Sequence, residues 1–303
     1  MTKNDITRGL IDFAVSQCLK NIKEDPYRSI RRLADLGRQF AKGRFQEELF
    51  SLFQRLLLNE DGPYYEMLKQ LISSVDTDSL KTLGINIGYN SWTCGASRLR
   101  QITAEKDCPH WLAEISLSPE GSASQLKEQL SAALENGTYA FRLHMPAQSI
   151  TTDTRQLALI REFPDCSFFL DFIGTDCTYS DDLLELTCSF DNLAFLVPFG
   201  SLQSRQLVDL LNARQRIYGV CRTYNDANAA EMISDSQISE MLSWGSPLLL
   251  FLTADDTTQD NRLLVDNAIL NARLHQTYPA LLIHLDADVA RIQQLLLSSR
   301  KNP

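Results

Sequence analysis

The sequence predicts an α/β protein in which a (β/α)8 TIM-type barrel, complete or partial, follows an all-helical N-terminal subdomain. After residue 80, short apolar runs alternate with amphipathic stretches, which is the pattern of parallel βαβ units. The alternation repeats eight times in about 220 residues, and this matches a compact barrel. The first 80 residues show helical spacing and no strand-like alternation. A doubly wound open sheet is the alternative, because pattern alone does not separate the two folds.

The helical subdomain is predicted to contain four short helices. Apolar residues recur at helical spacing from Ile6 to Lys23, and Asp25-Pro26 supplies the start of a second helix. Phe45–Leu58 and Tyr64–Ser74 continue the pattern as the third and fourth helices. We therefore assign residues 1–80 to a helical subdomain and residues 81–303 to the barrel.

Six of the eight predicted strands carry polar residues on one face. The eight strands are Gly84–Tyr89, Trp111–Leu117, Tyr139–Met145, Ser167–Ile173, Leu193–Phe199, Ile217–Arg222, Pro247–Thr253 and Ala280–Leu285. Alternate residues of a strand share a face, and the polar positions are Asn86, Asn90, Glu114, Ser116, Ser118, Arg142, His144, Asp171, Thr253, Asp255, His284 and Asp286. Such faces predict a hydrated or ligand-filled interior. Glu114 and Arg142 are each expected to be paired with another group, since a buried unpaired charge is costly.

Candidate catalytic residues fall at the carboxyl ends of the predicted strands, where barrel enzymes place their sites. They are His144, Asp171, Arg222 and His284. Three of them, His144, Asp171 and His284, are also candidate metal ligands that would activate water. The His-x-His of metal-dependent hydrolase barrels is absent, because the first predicted strand has Asn86-Ile-Gly88 instead. The candidate ligand-binding residues are Asn90, Glu114, Ser116, Arg142, Tyr224 and Asp255.

Composition limits the partners and the compartment. The chain carries a formal net charge of −9, and the acidic excess lies in the predicted barrel, so we expect no nucleic-acid partner there. No apolar run approaches a membrane span, and the N-terminus has no secretory h-region, so a soluble, cytoplasmic protein is expected. The seven cysteines lie more than ten residues apart, which excludes CxxC pairs and favours reduced thiols.

Two segments resemble the barrels of radical SAM enzymes in their placement. They are Gly88-Tyr-Asn-Ser-Trp-Thr-Cys-Gly-Ala-Ser97 after the first predicted strand and Ser116-Leu-Ser-Pro-Glu-Gly-Ser122 after the second. In that family the first loop holds a CxxxCxxC iron–sulfur motif, and the second strand ends in a GGEP motif that contacts the SAM amino group. Here Cys94 is the only cysteine of the first loop. Pro119-Glu120 matches the end of the second motif, but Leu117 and Ser118 replace its glycines.

The resemblance spans about residues 81–225 and implies a barrel that descends from the radical SAM fold. It also implies that reductive SAM cleavage has been lost, so no iron–sulfur cluster is expected.

Two functions follow from the sequence. The first is a ligand-binding or accessory protein with a polar barrel interior, whose N-terminal helices contact a protein partner or close over the barrel mouth. The alternative is an enzyme that acts on a small polar substrate at that mouth, with or without a metal. The sequence contains neither GxGxxG, GxxxxGK[ST] nor GxSxG, so the usual dinucleotide, P-loop and hydrolase motifs are missing.

Overall fold

The computed structural model describes residues 3–20, 22, 24–41, 44–102, 109–119, 121–146, 154–175, 177 and 179–298. Its N-terminal part is helical, as predicted. The helices are α1 (Lys3–Leu19), α2 (Pro26–Phe40), α3 (Arg44–Leu56), α4 (Pro63–Ser74), α5 (Thr77–Ile85), a π-helix (Asn86–Gly95) and α6 (Ala96–Ile102). Asp25 caps α2 by accepting a hydrogen bond from the Arg28 amide at 3.1 Å. In the described part of the chain, no helix is both long and apolar enough to cross a bilayer.

A seven-stranded, all-parallel sheet follows and curls into a half-barrel. Its strands are β1 (Leu112–Ser116), β2 (Ala140–His144), β3 (Ser167–Asp171), β4 (Leu193–Pro198), β5 (Tyr218–Tyr224), β6 (Leu248–Thr253) and β7 (Leu281–His284). They pair in chain order from β1 to β7. The helices that connect and follow them are α7 (Ala123–Glu135), α8 (Thr154–Ala158) with a 3-10 turn (Leu159–Glu162), α9 (Asp181–Cys188), α10 (Leu202–Ala213), α11 (Ala229–Met232), α12 (Asp235–Leu242), α13 (Gln259–His275) and α14 (Leu285–Ser298).

The prediction of a closed eight-stranded barrel is wrong, because the expected first strand at Gly84–Tyr89 is helical. Ile85 and Tyr89, one helical turn apart, are both buried. Asn86 is fully buried, and its Nδ2 donates to the carbonyls of Pro164 and Cys166 at 2.9 Å each. A helix delivers these side chains to the loop before β3, so this segment is not available to pair with β1.

Helix α14 lies across the open side of the half-barrel, between the two edge strands. The Trp111 indole donates to the Val289 carbonyl at 3.0 Å, and the Trp111 amide donates to Gln293 at 2.9 Å. Leu296 packs in the same apolar cluster as Leu112 at the start of β1. The C-terminal helix thereby covers the apolar end of the space that an eighth strand would have enclosed.

The N-terminal helices cover the amino end of the half-barrel rather than its carboxyl end. Val75 and Leu83 pack against Ala194 and Ile217, which lie where β4 and β5 begin. The same end is tied by hydrogen bonds from Gln70 to the Gly245 carbonyl and from the Asp76 amide to the Gln215 carbonyl, both 2.9 Å. The opposite end, the mouth of the half-barrel, is where the strands terminate.

Strand register divides the polar side chains between two faces of the sheet. Glu114 pairs with Arg142, and His144 pairs with Asp171, which places these four on the inner, concave face. Arg222 pairs with Phe251, and Phe251 in turn pairs with His284. Phe251 belongs to the core between the sheet and its surrounding helices, so this second row lies on the outer face.

Candidate functional site

Four charged side chains form a continuous network on the inner face of β1, β2 and β3. Arg142 Nη1 is 3.1 Å from Glu114 Oε1, and Arg142 Nε donates to Asp171 Oδ2 at 2.7 Å. His144 Nε2 lies 3.0 Å from Glu114 Oε2, and its Nδ1 lies 3.0 Å from Asp171 Oδ2. The network brings together His144 and Asp171, two of the predicted catalytic residues, with Glu114 and Arg142, two of the predicted ligand-binding residues. Glu114 and Arg142, each expected to have a partner, contact one another, and the Glu114 side chain is half exposed.

Arg142 and Asp171 form the buried part of this network. The Asp171 side chain is 0% exposed and that of Arg142 is 7% exposed. The second oxygen of Asp171 accepts a hydrogen bond from the Ile173 amide at 2.7 Å. Both oxygens of the carboxylate therefore have donors, which is how a protein tolerates a buried charge.

His144 is held as an imidazolium. The hydrogen bonds to Asp171 and Glu114 raise the pKa of His144 to about 9. The hydrogen bond from His144, reinforced by the charge of Arg142, lowers the pKa of Glu114 to about 2. At neutral pH both ring nitrogens thus donate to carboxylates, and the two acids are balanced by two cations. His144 has no nitrogen left to accept a proton from a substrate.

The outer part of the network is accessible because β1 is an edge strand. The Glu114 side chain is 52% exposed, and Ser116, two residues further along the same face, is exposed as well. Ser116 lies at the carboxyl end of the strand, where ligands bind in parallel α/β sheets, and Glu114 lies two residues before it. A carboxylate and a hydroxyl are therefore the groups that the inner face presents at its open edge.

The outer face carries a second polar cluster, which lies between β5, β6, β7 and α13. Buried His284 places Nε2 2.9 Å from Tyr224 Oη and 3.1 Å from Thr253 Oγ1. Its Nδ1 is 3.4 Å from Asp266 Oδ1, and Asp266 is also bound by Arg291 at 2.7 Å. The helix-borne Asp266 and Arg291 had not been predicted as site residues, since no sequence pattern shows which residues of α13 and α14 point at the sheet.

The four candidate catalytic residues do not meet at one site. His144 and Asp171 lie on the inner face, whereas Arg222 and His284 lie on the outer face. Arg222 donates to Gln237 of α12, and its guanidinium lies 5.4 Å from the centre of the Phe199 ring. These contacts hold Arg222 in the packing between sheet and helix.

Two of the ligand-binding candidates lie elsewhere. Asn90 is buried in the π-helix, where its Nδ2 donates to Asn86 at 3.0 Å and to the Asp165 carbonyl at 2.9 Å. Asp255 is exposed in the loop after β6. Asn90 thus fastens the π-helix to the amino end of the half-barrel, and neither residue is part of the inner-face network.

The candidate metal ligands His144, Asp171 and His284 are divided between the two faces of the sheet. Among the residues that the structure describes, no three His, Cys, Asp or Glu side chains are arranged to hold a metal ion. On the inner face, the Arg142 guanidinium lies between the carboxylates of Glu114 and Asp171, where it supplies the positive charge that these acids require.

The two segments that resemble radical SAM barrels lie in different kinds of structure. Cys94 lies in the π-helix, not in a loop after a strand. Ser116 ends β1, Pro119 lies in the turn that follows it, and Glu120 lies outside the described residues.

Neither the protein-family models nor the curated proteins include a match to this chain.

Proposed function

We propose that this chain is a ligand-binding or accessory protein whose inner face takes a small polar ligand without chemically transforming it. The observation that carries this proposal is the state of His144. Both of its nitrogens donate to carboxylates, and its pKa is raised to about 9. A general base needs a free nitrogen and a pKa near the working pH, so the network is built to hold charge rather than to move protons.

The accessible groups define the class of ligand. The pKa of Glu114 is lowered to about 2, so its carboxylate is ionised at neutral pH. This carboxylate is half exposed, and the hydroxyl of Ser116 lies beyond it on the same face. The carboxylate oxygens have capacity for further donors. The net charge of −9 of the chain also attracts cations. A small molecule with an ammonium group is therefore the ligand that this edge favours.

The resemblance to radical SAM barrels points to the same chemistry, since it places a SAM amino group at the end of the first strand of the half-barrel. We infer common descent with loss of reductive cleavage. A cytoplasmic location and the lack of a nucleic-acid partner, both expected from the sequence, belong to this proposal, as does contact with a protein partner through the N-terminal helices.

Isothermal titration of the full chain with methionine, S-adenosylmethionine and lysine tests the proposal. At least one should bind, and 4-(methylthio)butanoate, which lacks the amino group of methionine, should not. Glu114→Gln should weaken binding at least tenfold, because it removes the charge and keeps the shape. Glu128→Gln, which removes an equivalent charge from exposed α7, is the matched control. Lack of binding by all three amines, or equal binding by Glu114→Gln, would refute the proposal.

A second candidate is an enzyme that acts on a small polar substrate, and the outer-face cluster favours it. Asp266 orients Nδ1 of His284, so that Nε2 faces the hydroxyls of Thr253 and Tyr224. This is the arrangement in which a histidine activates a hydroxyl nucleophile. Thr253 lies at the carboxyl end of β6 and is partly exposed.

Covalent labelling with a fluorophosphonate, followed by intact-protein mass measurement, tests this second candidate. A nucleophilic Thr253 should gain one label, Thr253→Val should lose it, and Tyr224→Phe should keep it. An unlabelled wild-type chain would remove the candidate and leave the binding function in place.

A further inference from the structure

The N-terminal helices line a mostly apolar, partly open cavity of about 370 Å³ between α1, α2, α3, α4, α5 and the π-helix. This volume lies within the range of small-molecule sites, which are mostly apolar with a few polar groups. An apolar ligand that filled this space would remove its apolar lining from water, which is favourable. The cavity therefore favours an apolar occupant.

The cavity has two chemically different ends. One end is lined by Ile22, Ile30, Leu57 and Ile72, which belong to one apolar cluster. The other end is lined by Ile11, Ile85 and Tyr89, which belong to a second cluster. Val15 packs against both clusters, so the cavity lies between two partial cores rather than inside a single one.

The polar groups of the lining gather at the second end. Lys81 is one helical turn from Ile85, and Thr93 is one turn from Tyr89. Buried Gln46 donates to the Gly88 carbonyl at 2.8 Å and to Thr93 Oγ1 at 2.7 Å. The first end has only apolar side chains of its cluster, so polarity changes along the length of the cavity.

Lys81 provides the charge at the polar end. Its Nζ lies 3.5 Å from Asp12 and 3.8 Å from Asp78, and these carboxylates are 51% and 74% exposed. The Lys81 side chain itself is only 23% exposed. Such long contacts with solvated carboxylates are weak and leave the ammonium able to bind a further anion.

Two glycines at this end leave part of the cavity lining without side chains. Gly84 and Gly88 both line it, one turn apart, and a Cβ at either position would meet no atom within 4 Å. Gly84 is exposed, which makes this the side that opens to solvent.

We propose that this cavity binds a single-chain amphiphile with an anionic head group, such as a fatty acid. The chain would occupy the apolar end, and the head group would meet Lys81 beside the opening at Gly84. An apolar volume, one-ended polarity and a positive charge at the entrance together define this ligand. The site is distinct from the inner-face network, which lies at the opposite end of the half-barrel.

Titration of the full, delipidated chain with dodecanoate and with dodecanol tests the proposal. Dodecanoate should bind and raise the Tm. Lys81→Met should weaken dodecanoate binding about tenfold and leave dodecanol binding unchanged. Lys69→Met, at an exposed position on α4, is the matched control and should bind dodecanoate like wild type.

Gly84→Phe places a ring at the opening and should weaken the binding of both ligands at least tenfold. This variant should fold, because it replaces a helical glycine and the new Cβ has open space; far-UV circular dichroism checks this. A folded wild type that binds neither ligand overturns the proposal, as does unchanged binding by Gly84→Phe. If Lys81→Met weakens the binding of dodecanoate and dodecanol equally, the assignment of an anionic head group is wrong.

Discussion

At the residue scale, the fully buried carboxylate of Asp171 is the group most sensitive to loss of its partner. Arg142→Met removes the closest cation and leaves only the partly exposed His144 to balance the buried charge, so it should lower the free energy of unfolding by about 3–5 kcal/mol. Glu114→Gln should lower it by no more than about 1 kcal/mol, because Glu114 is 52% exposed. Urea denaturation measures both changes.

The double variant Arg142→Met/Asp171→Leu distinguishes a coupled pair from two independent losses. It removes both charges at once and should be less destabilised than Arg142→Met alone. A double variant at least as unstable as the single one would show that Arg142 and Asp171 do not stabilise one another.

The pKa shifts of His144 and Glu114 predict a stability optimum in mildly acidic solution. The pKa of His144 rises from 6.5 to about 9 on folding, so its stabilisation is complete below pH 6.5 and disappears as the pH rises to 9. The pKa of Glu114 falls from 4.5 to about 2, so its stabilisation exists above pH 4.5 and disappears as the pH falls to 2. The network should stabilise the fold most between pH 4.5 and 6.5.

Urea denaturation of wild type and His144→Asn at pH 6 and pH 9 measures the histidine part. Wild type should lose more stability than the variant between these two values. A parallel decline in both proteins would mean that His144 is not protonated in the folded state.

At the element scale, strand prediction succeeded wherever an apolar run stood between turns and amphipathic helices, as at Leu193–Pro198. It failed at Gly84–Tyr89, because Ile85, Ile87 and Tyr89 alternate like a strand while Ile85 and Tyr89 also fit one helical turn. Contacts of Asn86 with a loop about 80 residues away favour the helix, and no local pattern shows such contacts.

The candidate site, like the strands, was predictable in part from the sequence. Glu114 within β1 and His144 and Asp171 at the ends of β2 and β3 are brought together because the three strands are adjacent, and their sequence positions indicate this. Arg222 lies on the same face of β5 as Val220, and Cys221 lies on the opposite face. Because Val220 and Cys221 are both apolar, the sequence does not show which of the two faces packs against the helices. Register with β6 places Arg222 on the outer face, and one sequence does not show that register.

The anchoring role of Asn86 gives a prediction for the π-helix. Asn86→Leu should lower the free energy of unfolding by about 1–3 kcal/mol, because the Pro164 carbonyl loses its donor and buried Asn90 loses one acceptor. The Cys166 carbonyl keeps the hydrogen bond from Asn192. Ser97→Ala, at an exposed position in α6, should change it by less than about 0.5 kcal/mol. Chemical denaturation compares the two. Similar small losses in both variants would indicate that the π-helix is held mainly by its apolar contacts.

At the scale of the whole molecule, the helical region and the half-barrel share apolar surface at the amino end of the strands. Helix α5 packs Leu83 on Ile217, while Ser116 lies at the far end of β1 and Glu114 two residues before it. Ligand binding at the inner face and at the apolar cavity should consequently be separable by mutation.

Residues 81–303 produced alone should associate or precipitate, because Ala194, Ile217 and Leu248 lose the cover of Val75 and its neighbours. Light scattering after gel filtration and 1-anilinonaphthalene-8-sulfonate fluorescence compare this fragment with the full chain. Val75→Ser in the full chain, which weakens the same contact without removing a helix, should give a smaller rise in fluorescence. A fragment that elutes at its own monomer mass and binds no more dye than the full chain would show that the half-barrel does not need the helices to cover its amino end.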